Sequence, residues 1–154
     1  LYEAGTRVPF ISYWKGKIDP AVSDAVITQV DLFSSLARLA GSELRPHDSR
    51  ELLQVLMGTS DQGRSELILQ ATGRTALRMG EYVLIPPYPG PAIAANVNIE
   101  LGNSSDYQLY NLTEDPGQQN NLALGLPQKL EEMIASYKSL TEARDAAGGE
   151  PELQ

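Results

Sequence analysis

The sequence predicts an α+β chain. A small antiparallel sheet of about four strands is covered by a C-terminal amphipathic helix and preceded by a strand and helices of the α/β kind. Three observations predict it. Between residues 65 and 112, short apolar runs are separated by turn residues, the texture of an antiparallel meander. Leu130, Met133, Ile134, Tyr137 and Leu140 recur at spacings of three and four, which places them on one stripe of a helix. Near the N-terminus, Arg7 to Trp14 is apolar at both odd and even positions, as in a strand buried on both faces.

Taken in order, "RVPFISYW" is read as that strand, with Pro9 tolerable only at its start or away from a ladder partner. "KGKIDP" is a loop and "AVITQV" is extended; Asp31 is then the N-cap of "LFSSLARLA", with Gly41 as its stop. A single helix from Ser23 to Ala40 is the alternative. Asp48 or Ser49 caps a short helix "RELLQVLM" closed by Gly58. "SELILQA", "TALRMG" and "EYVLIP" form the meander, and "PPYPGPAIAANVNIELGNSSD", rich in Pro, Gly and Asn, is a long excursion from it. "YQLYNL" returns as a strand, and Asp115-Pro116-Gly117 makes a tight corner. Pro127 opens the last helix, with Glu131 and Glu132 near its positive end. The expected organisation is residues 1–58 as the tail end of an α/β domain, 59–145 as a sheet-plus-helix subdomain, and 146–154 as a disordered tail.

Composition narrows the function classes. At 154 residues and 42% apolar, the chain suits one domain with a real core. A net charge of −8 argues against nucleic acid as a partner, because such binding rests on neutralising phosphates. No apolar run approaches the roughly 20 residues that span a bilayer, so no membrane helix is expected. With no cysteine, the chain holds no disulfide, thiolate metal site or cysteine nucleophile.

Catalytic parts are scarce. The one histidine, His47, lies between Pro46 and Asp48 in a polar loop, where a solvated side chain and a substrate-facing one are both open readings. Most carboxylates fall at helix starts and turns, and the glycines read as caps rather than a phosphate loop. Arg64, Arg74 and Arg78 recur around the meander, either as exposed sheet arginines or as partners of an anionic ligand. Asn103-Ser104-Ser105 and Asn111-Leu112-Thr113 match the glycosylation pattern. No catalytic residue and no metal ligand set is assigned within the chain.

Five segments, in order, carry a resemblance: "YEAGTRVPFISYWKGKI", "QVDLFSSLARLAG", "DSRELLQVLMG", "ALRMGEYVLI" and "QLYNLTEDPGQQNNLA". Together they resemble the C-terminal region of type I, formylglycine-dependent sulfatases of the alkaline-phosphatase superfamily. Ala4 and Ser49 depart from the glycines common there. The resemblance implies a parent sulfuric ester hydrolase acting on a sulfated small molecule or glycan. In that parent a formylglycine nucleophile, made from a Cys/Ser-x-Pro-x-Arg motif, and a calcium ion stabilise the transferred group. No proline of this chain follows Cys or Ser at that spacing, so the nucleophile and metal site are expected outside it and the chain is expected to be an inactive fragment. Within it, Glu3 and Arg7 are expected to brace a turn beside the parent's active site, and His47 and Arg74 to be substrate-side candidates. The exposed run 7–14 is expected to drive self-association. A stand-alone module holding an anionic glycan, or a fragment of a related phosphodiesterase, is the alternative.

Overall fold

The computed structural model describes residues 1–71 and 73–147. They form two compact units, one of Leu1–Val8 with the chain from Glu66 onward, the other of Pro9–Ser65.

In the first unit, β1 (Glu66–Ala71), β2 (Arg74–Met79), β3 (Tyr82–Ile85) and β6 (Gln108–Asn111) make one antiparallel sheet in the order β1-β2-β3-β6. The predicted meander and its returning strand are thus present. A two-residue turn, Gly80-Glu81, joins β2 to β3, and Gly80 takes φ 58° there, the left-handed value that tight hairpin turns require. The excursion folds into a small hairpin, β4 (Ile93–Ala94) with β5 (Ile99–Glu100).

Register builds the core. Ile68 pairs with Leu77, Leu77 with Leu84, and Leu84 with Leu109, so four apolar side chains cross the sheet in one row. The last helix, α3 (Pro127–Ala147), lies over that row through buried Met133 and through Leu130, Ile134, Tyr137 and Leu140, as its stripe predicts. Tyr137 and Thr75 share a hydroxyl hydrogen bond of 2.6 Å. On the opposite face, Ala76, Val83, Ile85 and Tyr110 are buried and the N-terminal Leu1 and Tyr2 pack against them. The first residues of the chain therefore belong to the sheet that lies some sixty residues further on. Residues 148–154, most of the predicted disordered tail, lie outside the described residues.

The second unit holds α1 (Asp31–Leu39) and α2 (Leu53–Leu56). In and just before this unit the chain differs from expectation at three points. Arg7 to Trp14 is not a strand: it has no ladder partner among the described residues, Pro9 has no N–H to offer, and Val8, Ile11 and Tyr13 are exposed. Asp31 is the first helical residue rather than the N-cap, which is Val30. The helix predicted from Arg50 shrinks to four residues before Gly58.

Helix α1 is also inverted in polarity. Asp31, Ser34 and Ser35 are buried, whereas Phe33, Leu36 and Leu39 are 54%, 53% and 45% exposed. Hydrogen bonds hold most of its inward face, although the buried Ser34 hydroxyl has no partner among the described residues. Ser35 Oγ donates to the Asp31 carbonyl (2.7 Å) and accepts from the Leu52 N–H (2.9 Å). Ser49 Oγ donates to the Val30 carbonyl (2.6 Å) and accepts from the Ser34 N–H (3.1 Å). Gly63 allows the segment beneath to close, since a Cβ there would stand 2.4 Å from the Val26 carbonyl oxygen.

Candidate functional site

The N-terminal turn is the first polar centre. Residues Glu3–Gly5 form a 3₁₀ turn in which the Thr6 and Arg7 N–H groups both donate to the Glu3 carbonyl at 2.8 Å. The Glu3 carboxylate is buried, and Arg78 Nη1 from β2 donates to it at 2.6 Å. Arg7 stands 3.7 Å from the other carboxylate oxygen with its side chain 67% exposed. Arg78 is therefore the close, charge-assisted partner and Arg7 a loose one. On the backbone side, the Glu3 N–H donates to Gln118 Oε1 at 2.5 Å. The meander and the Asp115-Pro116-Gly117 corner thus grip the turn from two directions.

A second centre lies in the other unit. Arg64 clamps Asp31 with both arms, Nε to Oδ2 at 2.8 Å and Nη2 to Oδ1 at 2.5 Å. The Arg50 and Thr28 N–H groups complete the carboxylate at 2.8 and 3.0 Å, and Arg64 Nη2 also donates to the Asp48 carbonyl. Burial alone pushes the Asp31 carboxyl up, but the guanidinium and the two N–H groups outweigh it and hold the group below the ordinary aspartate range.

The remaining predicted residues take separate places. His47 is exposed in the turn between α1 and α2. Arg74 opens β2; its Nη1 donates to the Leu101 carbonyl (3.1 Å) and to Asn103 Oδ1, and its guanidinium lies 5.2 Å from the centre of the Tyr88 ring. It fastens the excursion to the sheet. Arg64, Arg74 and Arg78 are each engaged with protein groups, which counts against the stand-alone glycan module. Of the two glycosylation matches, Asn111 is buried within β6 and Asn103 donates to the Pro91 carbonyl at 2.8 Å.

Sequence reasoning missed Gln118 and Gln108 altogether. Gln108 is buried; it accepts from Tyr110 Oη at 2.8 Å and donates to the Gly102 carbonyl at 2.9 Å. A polar residue inside an apolar strand run was the available signal. Among the described residues, no group of three or more His, Asp or Glu side chains gathers where it could hold a metal ion. The calcium implied by the resemblance is therefore assigned to no residue here. Among the same residues, no helix is long and apolar enough to cross a membrane.

A sheet-plus-helix unit of this kind recurs in solved sulfatases. A Bacteroides thetaiotaomicron structure, described under the metabolism of multiple glycosaminoglycans, superposes with a TM-score of 0.75 at 32% identity, over 82% of this chain and 27% of that one. A sulfatase from Pseudoalteromonas sp. shares the fold, with a TM-score of 0.68 at 17% identity over 90% of this chain and 30% of its own. The family model described as Sulfatase matches residues 1–42. The sequence is 38% identical over 145 residues to an N-acetylgalactosamine-6-O-sulfatase of Bacteroides thetaiotaomicron, and 30% identical over 155 residues to human arylsulfatase A. Each alignment takes in 90% of this chain. The chain belongs to the sulfatase family. It spans 28% and 30% of the length of those two relatives.

Proposed function

We propose that this chain is the C-terminal part of a sulfuric ester hydrolase whose substrate is a sulfated glycan. The observation that carries the reading is the 38% identity to an N-acetylgalactosamine-6-O-sulfatase over 90% of the chain. The nucleophile, a formylglycine, and a calcium site belong to the part of the parent outside this chain, and the chain alone is inactive. Its own contribution is support and one wall of the substrate cleft. Glu3, held by Arg78 and Gln118, keeps the N-terminal turn rigid. His47 is a substrate-side candidate; Arg74 acts by holding the excursion in place. The inverted polarity of α1 and the exposed run after Arg7 support the same reading, because apolar faces of this size are made to be covered.

The coding sequence upstream tests the proposal. A continuous reading frame with a Cys/Ser-x-Pro-x-Arg motif is expected. A start codon at Leu1, or a Thr nucleophile with a two-metal ligand set, would contradict it.

Taken alone, the chain self-associates through residues 7–14. Each wet side chain of Val, Leu, Ile or Phe size forgoes about 1.5–3 kcal/mol, and Phe10, Ile11 and Trp14 are all exposed. Light scattering on the chain and on a Phe10→Ser, Ile11→Ser, Trp14→Ser variant checks this. The unaltered chain is expected to form dimers or larger species at tens of micromolar concentration (an order of magnitude at which a weak apolar contact shows), and the variant is expected to be a monomer. A monomeric unaltered chain would end the claim.

A further inference from the structure

The first eight residues, Leu1–Val8, form an arm held by partners far along the chain. Leu1 and Tyr2 pack against the cluster that holds Val83, Ile85 and Tyr110, and the Tyr2 and Tyr110 rings meet edge to face at 6.0 Å. The Glu3 carboxylate accepts from Arg78 at 2.6 Å, and the Glu3 N–H donates to Gln118 at 2.5 Å. Those two partners lie 75 and 115 positions further on. A second copy of the chain presents the same surface, with the same apolar cluster, guanidinium and amide. The arm of one copy is therefore complementary to the sheet of the other without any new contact having to be built.

The stretch that follows the arm permits such an exchange. Val8 to Trp14 are exposed and have no ladder partner among the described residues. Fully extended, this stretch reaches up to about 24 Å, and Pro9 biases Val8 before it toward the extended region. In a closed chain Phe10, Ile11 and Trp14 are left in water. Exchange keeps the arm's contacts and brings two such stretches together, so that their apolar side chains can cover one another. Trading an identical element in this way is a low-cost route to a symmetric dimer.

We infer that the chain taken alone pairs by exchanging arms, Leu1–Val8 of each copy docking on the sheet and the Gln118 corner of the other. The inference rests on the self-association reading and supplies its mode.

The first arm of the test reverses the ion pair. Glu3→Arg and Arg78→Glu each place like charges together in a closed chain and in a pair of identical copies. In an exchanged pair with one copy of each, the reversed position 3 meets the reversed position 78, and the native Glu3 meets the native Arg78. Both docking sites are then matched. Light scattering is expected to give each variant alone a molar mass near 16.7 kDa. The two variants unfolded, mixed in equal amounts and refolded at tens of micromolar are expected to give about twice that mass (the same order of concentration as for the unaltered chain).

The second arm uses no substitution, so it decides the matter even where a variant does not fold. Isotope-labelled and unlabelled copies of the unaltered chain are unfolded together and refolded, and the dimer is isolated. An isotope-filtered NOE between the Tyr2 ring of one copy and the Tyr110 ring of the other is expected. A dimer that shows this NOE only within one copy would overturn arm exchange and leave side-by-side association standing. An unaltered chain that stays a monomer would end the self-association reading and the exchange with it.

Discussion

Replacing Asp31 with alanine is expected to destabilise the Pro9–Ser65 unit by about 3–5 kcal/mol, the cost of leaving one charge of a buried pair uncompensated. Asp31 is 2% exposed and the Arg64 side chain 10%. The substitution strands the Arg64 guanidinium and also removes the acceptor of the Arg50 and Thr28 N–H groups. Little else is available to compensate, since Leu56 is the one buried apolar residue described in this unit. Urea unfolding followed by amide hydrogen exchange within the Asp31–Leu39 helix of this unit reads the effect. A loss below about 1 kcal/mol would mean that the pair contributes no more than a surface ion pair does. Replacing both partners, Asp31→Leu with Arg64→Met, is expected to recover much of the loss, because no buried charge then remains. The pH dependence has a definite sign. The folded carboxyl is held below its ordinary range, so its contribution is complete above the unfolded value of about 3.9 and disappears as pH falls through the lower folded value. The gap between the parent sequence and Asp31→Ala therefore narrows on acidification in that window.

Leu84→Ala is expected to cost the sheet-plus-helix unit about 2–5 kcal/mol, the range for emptying a large side chain from a packed core. Leu84 sits on β3 with Leu77 on one side and Leu109 on the other, all three fully buried. Met133 of α3 belongs to the same cluster, so the void would open where helix and sheet meet. Leu124→Ala is the control; that side chain is 98% exposed, and its loss is expected to stay within about 0.5 kcal/mol. Thermal unfolding followed by far-UV circular dichroism compares the two. Similar midpoints for both variants would show that the leucine row is not the core of this unit.

Elements that close on themselves were legible. The meander was read from turn residues and apolar runs because neighbouring strands pair locally, and α3 because its stripe repeats at the helical period. What depended on distant partners was not. Glu3 meets Arg78 across 75 positions and Gln118 across 115, and Asp31 meets Arg64 across 33. Periodicity carries no record of such pairs, so Asp31 read as a cap, and Arg64 and Arg78 as either sheet arginines or partners of an anionic ligand. Helix α1 shows the same limit differently. It was read from its ends, Asp31 and Gly41, and such signals do not say which face is covered; here it is the one with Asp31, Ser34 and Ser35. The run from Arg7 to Trp14 has strand composition without a ladder partner among the described residues, and composition alone cannot supply one. At the candidate site, Glu3 and Arg7 were singled out only through resemblance, and the buried amides Gln108 and Gln118 not at all.

The most direct measurement is release of the aryl product from an activated aryl sulfate, made in parallel on the 154-residue chain and on the whole polypeptide that contains it. Sustained turnover is expected from the whole polypeptide and none from the chain above a heat-treated control, since groups that act as a unit leave little activity when most are removed. Turnover that copurifies with the isolated chain, or a whole polypeptide that releases no product, would contradict it.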